Sequence, residues 1–313
     1  MVQYESNHHF FDIREIKMKK TIALILAIIM IAALPMLASC DGNNSNTSSN
    51  TSDNTSGNNA SGSNETGNES SSASEKLICG VTEYEPMNYR DSAGNWTGFD
   101  TEFALLVGEK LGMDVEFQMI EWGNKFAELN SGAITCIWNG FTANASESDG
   151  TPRSTLCSMT YSYMLNQQCV VIKADRTGEF SSIDDLVGKS AAVESGSAGE
   201  TAAQDLVGSS GNTVGASAQI NTFLEVKSGA ADCAIVDVLL ARRIAGSGDY
   251  SDLAIADIEL DAEVYAIGFK TGSSLTARVN QAMKELYDDG TLATLADKYG
   301  LENNLSVDTS FGS

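Results

Sequence analysis

Apolar and polar positions along the chain fall into blocks with two different periods. From Phe126 the apolar positions step at helical spacing to Leu129, the pattern breaks at Gly132, and Ile134, Cys136 and Trp138 then alternate. Positions three apart share a helix face and positions two apart share a strand face. The stretch therefore predicts a helix, a left-handed glycine stop, and a strand delivering the polar loop Asn139-Gly140-Phe141-Thr142. The same phrase returns from Phe223 to Asp237, where Phe223, Glu225, Ser228-Gly229-Ala230 and Cys233 repeat Phe126, Glu128, Ser131-Gly132-Ala133 and Cys136 without a gap. Such a repeat predicts two α/β lobes of similar build. Ligands of open α/β sheets bind beyond the carboxyl ends of the strands, so Asn139 to Thr142 and Asp237 are expected to face one cleft.

The other elements fit around these two units. Leu77 to Val81 and Val115 to Ile120 read as strands of the first lobe, with a helix between them capped by Asp100 and buried through Phe103, Leu106, Val107 and Leu111. The apolar run Cys169 to Lys173 reads as the first crossing between lobes. Ser190 to Glu194 is a strand opening onto Ser195-Gly196-Ser197-Ala198-Gly199, with a helix from Glu200 to Val207 behind that loop. Tyr265 to Phe269 is the returning strand, and helices over Leu275 to Tyr287 and Leu292 to Tyr299 close the globular part. The expected organisation is residues 76–169 for the first lobe, 170–263 for the second, 264–301 for the return and 302–313 for a tail.

Composition separates this globular region from what precedes it. Met18-Lys19-Lys20 followed by the apolar run Ile22 to Leu37 has the layout of a secretory signal, and Leu37-Ala38-Ser39-Cys40 resembles a bacterial lipobox, with Cys40 as the lipidated residue. The signal is thus expected to span 1–39. Residues 40–75 are nearly all Asn, Ser, Thr and Gly, with no apolar surface to offset ordering entropy, and read as a flexible tether.

The net charge of −23 argues against nucleic acid as a partner, because phosphate binding needs a basic patch and no lysine-arginine cluster follows the signal. Both histidines lie in the first seventeen residues and no Cys-x-x-Cys pair occurs, which argues against a zinc site. Cys79, Cys136, Cys169 and Cys233 sit in apolar runs and read as small core residues, while Cys157 lies outside them; the sequence assigns no pairing. No cofactor motif appears: Gly188-Lys189-Ser190 mimics the end of a phosphate-binding loop, but Ile183 stands where that loop needs glycine.

Trp96-Thr97-Gly98-Phe99-Asp100, Leu129-Asn130-Ser131-Gly132, Trp138 to Thr142, Val193 to Ala198, Asp232 to Asp237 and Asp289-Gly290-Thr291 occur in an order and spacing that resembles the family 3 extracellular solute-binding proteins, the amino-acid receptors of bacterial ABC importers. The resemblance covers the whole globular region. It implies an α/β, two-lobed, periplasmic-binding-protein-like fold of type II, with two hinge strands between lobes that close over the ligand.

In that family an arginine six residues before a Phe-Ser-x-Pro-Tyr run binds the α-carboxylate; Met159 to Tyr163 occupies the run here, which assigns Arg153. The resemblance further implies that Gly140, Thr142, Ser197 and Ala198 complete the carboxylate pocket and that Asp237 takes the α-ammonium. Tyr84, Phe99 and Trp138 become candidate walls, and Glu83 a candidate partner for a cationic side chain. An insertion, Ala143 to Gly150, separates Thr142 from Arg153 and leaves open whether Arg153 still reaches the pocket. The implied partners are a free amino acid, an ABC permease, and the membrane through the lipid anchor, with the protein a monomer. An extracytoplasmic enzyme of dehydratase type on the same architecture, or a sensory receptor domain, are the alternatives.

Overall fold

The structure is a computed structural model and describes residues 75–312. The expected signal, the lipidated Cys40 and nearly all of the tether lie outside the described residues.

The first lobe is built on β1 (Lys76–Val81), a small β2 (Tyr89–Arg90) and β3 (Trp96–Thr97) ribbon, α1 (Phe99–Leu111), β4 (Asp114–Met119), α2 (Lys125–Ser131), β5 (Cys136–Ile137) and β6 (Ser158–Met159). The long β7 (Ser162–Lys173) leaves it. The second lobe follows with β8 (Ser190–Glu194), α3 (Ala198–Val207), β9 (Asn212–Ala216), α4 (Gln219–Ser228), β10 (Cys233–Asp237), α5 (Val238–Ile244) and β11 (Leu253–Ile255). The chain returns through β12 (Ala262–Tyr265) to β13 (Gly268–Phe269), α6 (Leu275–Asp288), α7 (Thr291–Tyr299) and a last strand, β14 (Leu305–Asp308).

The sheets run β4-β1-β5-β13-β6 in the first lobe and β11-β7-β10-β8-β9 in the second. The repeated sequence phrase is a repeated structure. Helix α2 ends on Gly132 at φ 82° and feeds β5; helix α4 ends on Gly229 at φ 83° and feeds β10. Both strands occupy the middle of their sheets. A left-handed residue lets the chain reverse without a Cβ clash, which is why the same Ser-Gly-Ala turn serves both lobes.

Three elements differ from expectation. The crossing on β7 lies before Cys169, at Met164 to Gln167, where the strand pairs with β12; Cys169 to Val171 already pair with β10 in the second sheet. The returning strand is two strands, β12 in the hinge and β13 in the first sheet, rather than one run from Tyr265 to Phe269. The expected tail is a third hinge strand: Leu305 of β14 pairs with Met164 and Asp308 with Ser162. Asp100 is not the helix cap, since α1 starts at Phe99 after Gly98, and its carboxylate is fully buried in the first turn.

The first lobe's core gathers Phe99, Phe103, Trp138 and Tyr163 between the sheet and α1, with Trp138 edge-on to Phe103 at 5.0 Å and Phe99 stacked on Tyr163 at 6.1 Å. The second lobe packs Val170, Val193 and Ile235 against Ala203 of α3. Cys79, Cys136, Cys157, Cys169 and Cys233 are buried free thiols.

Candidate functional site

The carboxyl ends of β5, β8 and β10 converge on one small cavity between the lobes. It is lined from the first lobe by Trp122, Asn139, Gly140, Thr142 and Arg153, and from the second by Glu194, Ser197, Ala198, Gln219 and Asp237.

Arg153 is 1% exposed, and its bonds show what it has to spare. Its Nε donates to Glu147 Oε1 at 2.7 Å, Nη1 to the Thr142 carbonyl at 3.0 Å and Nη2 to the Gly196 carbonyl at 3.2 Å. A guanidinium has five N–H donors, so one remains on each terminal nitrogen, the parallel pair that fits both oxygens of a carboxylate. With the insertion in place, Arg153 still lines the cavity. Ser146 bridges Pro152 and the Arg153 amide donates to the Ala145 carbonyl, so the extra residues close on themselves as a small loop. Glu147, from that loop, holds both Arg153 and the buried Lys125, whose Nζ lies 2.9 Å from its Oε2.

Asp237, the last residue of β10, accepts bonds from Asn166, Gln168 and Gln219. The Gln219 side chain also accepts the Asp237 amide at 3.0 Å. Beside it Glu263 accepts from Thr142 at 3.2 Å, Asn166 at 2.9 Å and Gln168 at 3.0 Å. Burial pushes the Asp237 carboxyl up and takes that of Glu263 to about 7, with the Asp237 charge adding to the second. Glu194, the last residue of β8, is 2% exposed, and burial, followed by the Asp237 charge, raises its carboxyl to about 8. Lys125 is lowered to about 8, first by burial and then by the neighbouring Arg153. Ser197 caps α3 by accepting the Glu200 amide at 3.0 Å, and Ala198 begins the helix at the cavity wall.

The lobes touch across this cavity. The Gly196 carbonyl accepts from both Lys125, at 2.8 Å, and Arg153, and Thr201 donates to the Ser146 carbonyl at 3.3 Å. Only glycine fits this contact, because a Cβ on Gly196 would stand 2.6 Å from the Gly123 Cα.

Several residues expected at the site have other duties. The Gly140 amide donates to Asp100 at 2.7 Å and so does not face a ligand; a Cβ there would meet Tyr84 at 2.5 Å. Asp100, whose burial takes it to about 7, also accepts the Tyr163 hydroxyl at 2.7 Å and so ties the loop to α1. Tyr84 packs on Gly140 and bonds Tyr265 through their hydroxyls at 2.6 Å, bracing the loop rather than walling the cavity. Phe99 and Trp138 belong to the first lobe's core. Glu83 lies outside the cavity, beside Arg90.

In their place the structure brings in Trp122, Lys125, Glu147, Glu194, Gln219 and the Asn166, Gln168, Glu263 group. Two of these carried a sequence signal: Glu194 ends its strand as Asp237 ends its own, and Trp122 follows β4 just as the Asn139 loop follows β5. The carboxyl-end rule applied to every strand would have selected both.

The sequence profile of the bacterial extracellular solute-binding proteins, family 3, matches residues 77–302, and the chain belongs to this family. It is 29% identical over 231 residues to the arginine-binding extracellular protein ArtP of Bacillus subtilis (strain 168), covering 73% of this chain and 87% of that one. It is 27% identical over 280 residues to the L-cystine-binding protein TcyA of the same organism, covering 88% and 96%. Among solved structures, an ancestral arginine-binding protein bound to arginine superposes with a TM-score of 0.65 at 26% identity, over 72% of this chain and 97% of that one. The ancestral amino acid-binding protein AncCDT-1, a precursor of cyclohexadienyl dehydratase, gives 0.63 at 26%, over 72% and 95%. The fold is the two-lobed α/β arrangement of type II periplasmic binding proteins, and the named relatives are binding proteins rather than enzymes.

Proposed function

We propose that this protein captures a free amino acid between its lobes outside the cell and delivers it to the permease of an ABC importer, acting as a monomer held to the membrane through Cys40. The observation that carries the reading is the pairing, in one buried cavity, of a guanidinium with a spare N–H on each terminal nitrogen and a carboxylate at the end of the facing lobe's central strand. Arg153 takes the α-carboxylate, with Thr142 and the Ser197-Ala198 helix start beside it. Asp237 takes the α-ammonium. Because the two groups belong to different lobes, a zwitterion bridges them only when the cleft is closed, and closure reports occupancy to the permease. The relatives that bind arginine and cystine support an amino acid as the cargo.

The test is a thermal-shift screen of the full chain, unfolded and refolded to strip carried-over cargo, against the common amino acids. Mass action raises the melting temperature for any ligand that binds only the folded state. A shift with one amino acid or a related group is expected; no shift with any of them overturns the reading. Mass spectrometry of the membrane-extracted protein tests the anchor, with a lipid adduct on Cys40 expected and an unmodified Cys40 refuting it.

A further inference from the structure

Two buried carboxylates line the cavity, and the proposed capture of an α-amino acid uses only one of them. Glu194 is as buried as Asp237 and reaches the same space from the neighbouring parallel strand. Its carboxylate takes the backbone N–H of Gln219 at the start of α4, yet Oε1 has no hydrogen-bond partner among the described residues. An unpartnered buried carboxylate oxygen is costly, and a site that carries one gains most from a ligand that supplies the missing donor.

The nearby cations do not supply it. Lys125 is bonded to Glu147 and the Gly196 carbonyl, and Arg153 to Glu147, Thr142 and Gly196. Against these two cations stand Glu147, Glu194 and Asp237, with Glu263 behind Asp237. A zwitterion with a neutral side chain gives Glu194 no partner, so ionising it beside Asp237 stays costly; one further positive charge offsets that cost and favours the carboxylate form.

A second observation points the same way. An open groove leads away from Thr142 and Ala198 at the cavity, and Asp205, Glu259, Asp261 and Glu263 line it without a lysine or arginine among them. Such an approach concentrates cations.

We infer that Glu194 receives a positively charged side chain, so that the cargo is a cationic amino acid. This rests on the amino-acid reading above. Glu194 then sets specificity by charge, while Arg153 and Asp237 hold the part common to all amino acids.

Calorimetric titration of the refolded full chain with L-arginine, L-lysine, L-citrulline and L-glutamine tests it, citrulline being the neutral analogue of arginine. The expected result is arginine over citrulline by roughly 10- to 100-fold, the scale of one hydrogen bond to a charged group. Glu194→Gln, close in shape, brings that ratio near one, and a melting curve establishes that the variant is folded. Equal affinity for arginine and citrulline in the wild type overturns the proposal, as does a ratio that survives in Glu194→Gln. Failure of every amino acid to bind overturns the functional reading itself, a different outcome from binding without charge preference.

Discussion

Replacing Arg153 by lysine keeps the charge and removes the geometry, which makes it the sharpest probe of the carboxylate site. The guanidinium serves Glu147, the Thr142 carbonyl and the Gly196 carbonyl at 2.7, 3.0 and 3.2 Å from three different nitrogens and still has two donors left. An ammonium offers three donors from one point on a different stem, so it cannot satisfy Glu147 and Gly196 while also gripping both oxygens of a carboxylate. Losing one of two charge-assisted bonds to the cargo costs about 1.5–3 kcal/mol, or roughly 10- to 100-fold in affinity. Titration calorimetry on Arg153→Lys, with the amino acid identified in the screen, reads this directly. Cationic and neutral amino acids should weaken alike, since both carry the α-carboxylate. Wild-type affinity together with a lowered melting temperature would refute the reasoning, because Arg153 would then be a brace for the Glu147 loop and nothing more.

Asp237→Ala removes the facing charge and leaves Asn166, Gln168 and Gln219 without their shared acceptor; binding should fall below detection by calorimetry, and retained affinity would move the ammonium site elsewhere. The tryptophans separate cavity from core: Trp138→Ala should cost about 3–5 kcal/mol in urea unfolding while sparing the affinity of the folded fraction, whereas Trp122→Ala should weaken binding; the reverse pattern would return Trp138 to the cavity wall. Stability of the cargo-free protein should fall as pH rises. Asp100 and Glu263 at about 7 and Glu194 at about 8 have folded values raised above their ordinary ones, so the folded state binds more protons, and this stabilising contribution is lost as pH climbs from the usual carboxylate range through about 8. The groups facing Glu194 in this window are Asp237, Lys125 and Arg153; Lys125, lowered to about 8, adds stability only as pH rises through and above that value. Melting temperatures rising from about pH 5 to about pH 8 would contradict the assignment.

The sequence was most legible where burial writes a period into it. The helix, glycine and strand units at Phe126 and Phe223 could be read because one face of each is core, and their repetition announced the two lobes. Arg153 and Asp237 followed from the family's spacing, and the structure brings both to one cavity. The crossing was displaced because the strongest apolar run, Cys169 to Lys173, marks where β7 is covered on both sides, whereas the hinge segment, Met164 to Gln167, is partly polar, and Asn166 there and Gln168 just after it serve the cleft. Trp138 was expected at the cavity from the family resemblance, but the strand alternation it continues turns it beneath α1 onto Phe103. Trp122 stands in a single turn with no period of its own, so only its place after β4 could have pointed to it. Gly140 was placed correctly and assigned the wrong task, since a loop position says nothing of which buried acid, here Asp100, will claim its amide.

The added strand β14 has a consequence for how the molecule is made. Met164 of β7 is flanked by Tyr265 on one side and Leu305 on the other, so the hinge joins three segments far apart along the chain. Contacts of such long sequence separation form late, because the loops between them must close first. Either lobe can gather its local helix and strand units early, but the hinge that fixes their spacing waits for nearly the whole chain. The hinge is therefore complete only once β14 has paired with β7, although β12 already joins the two lobes there.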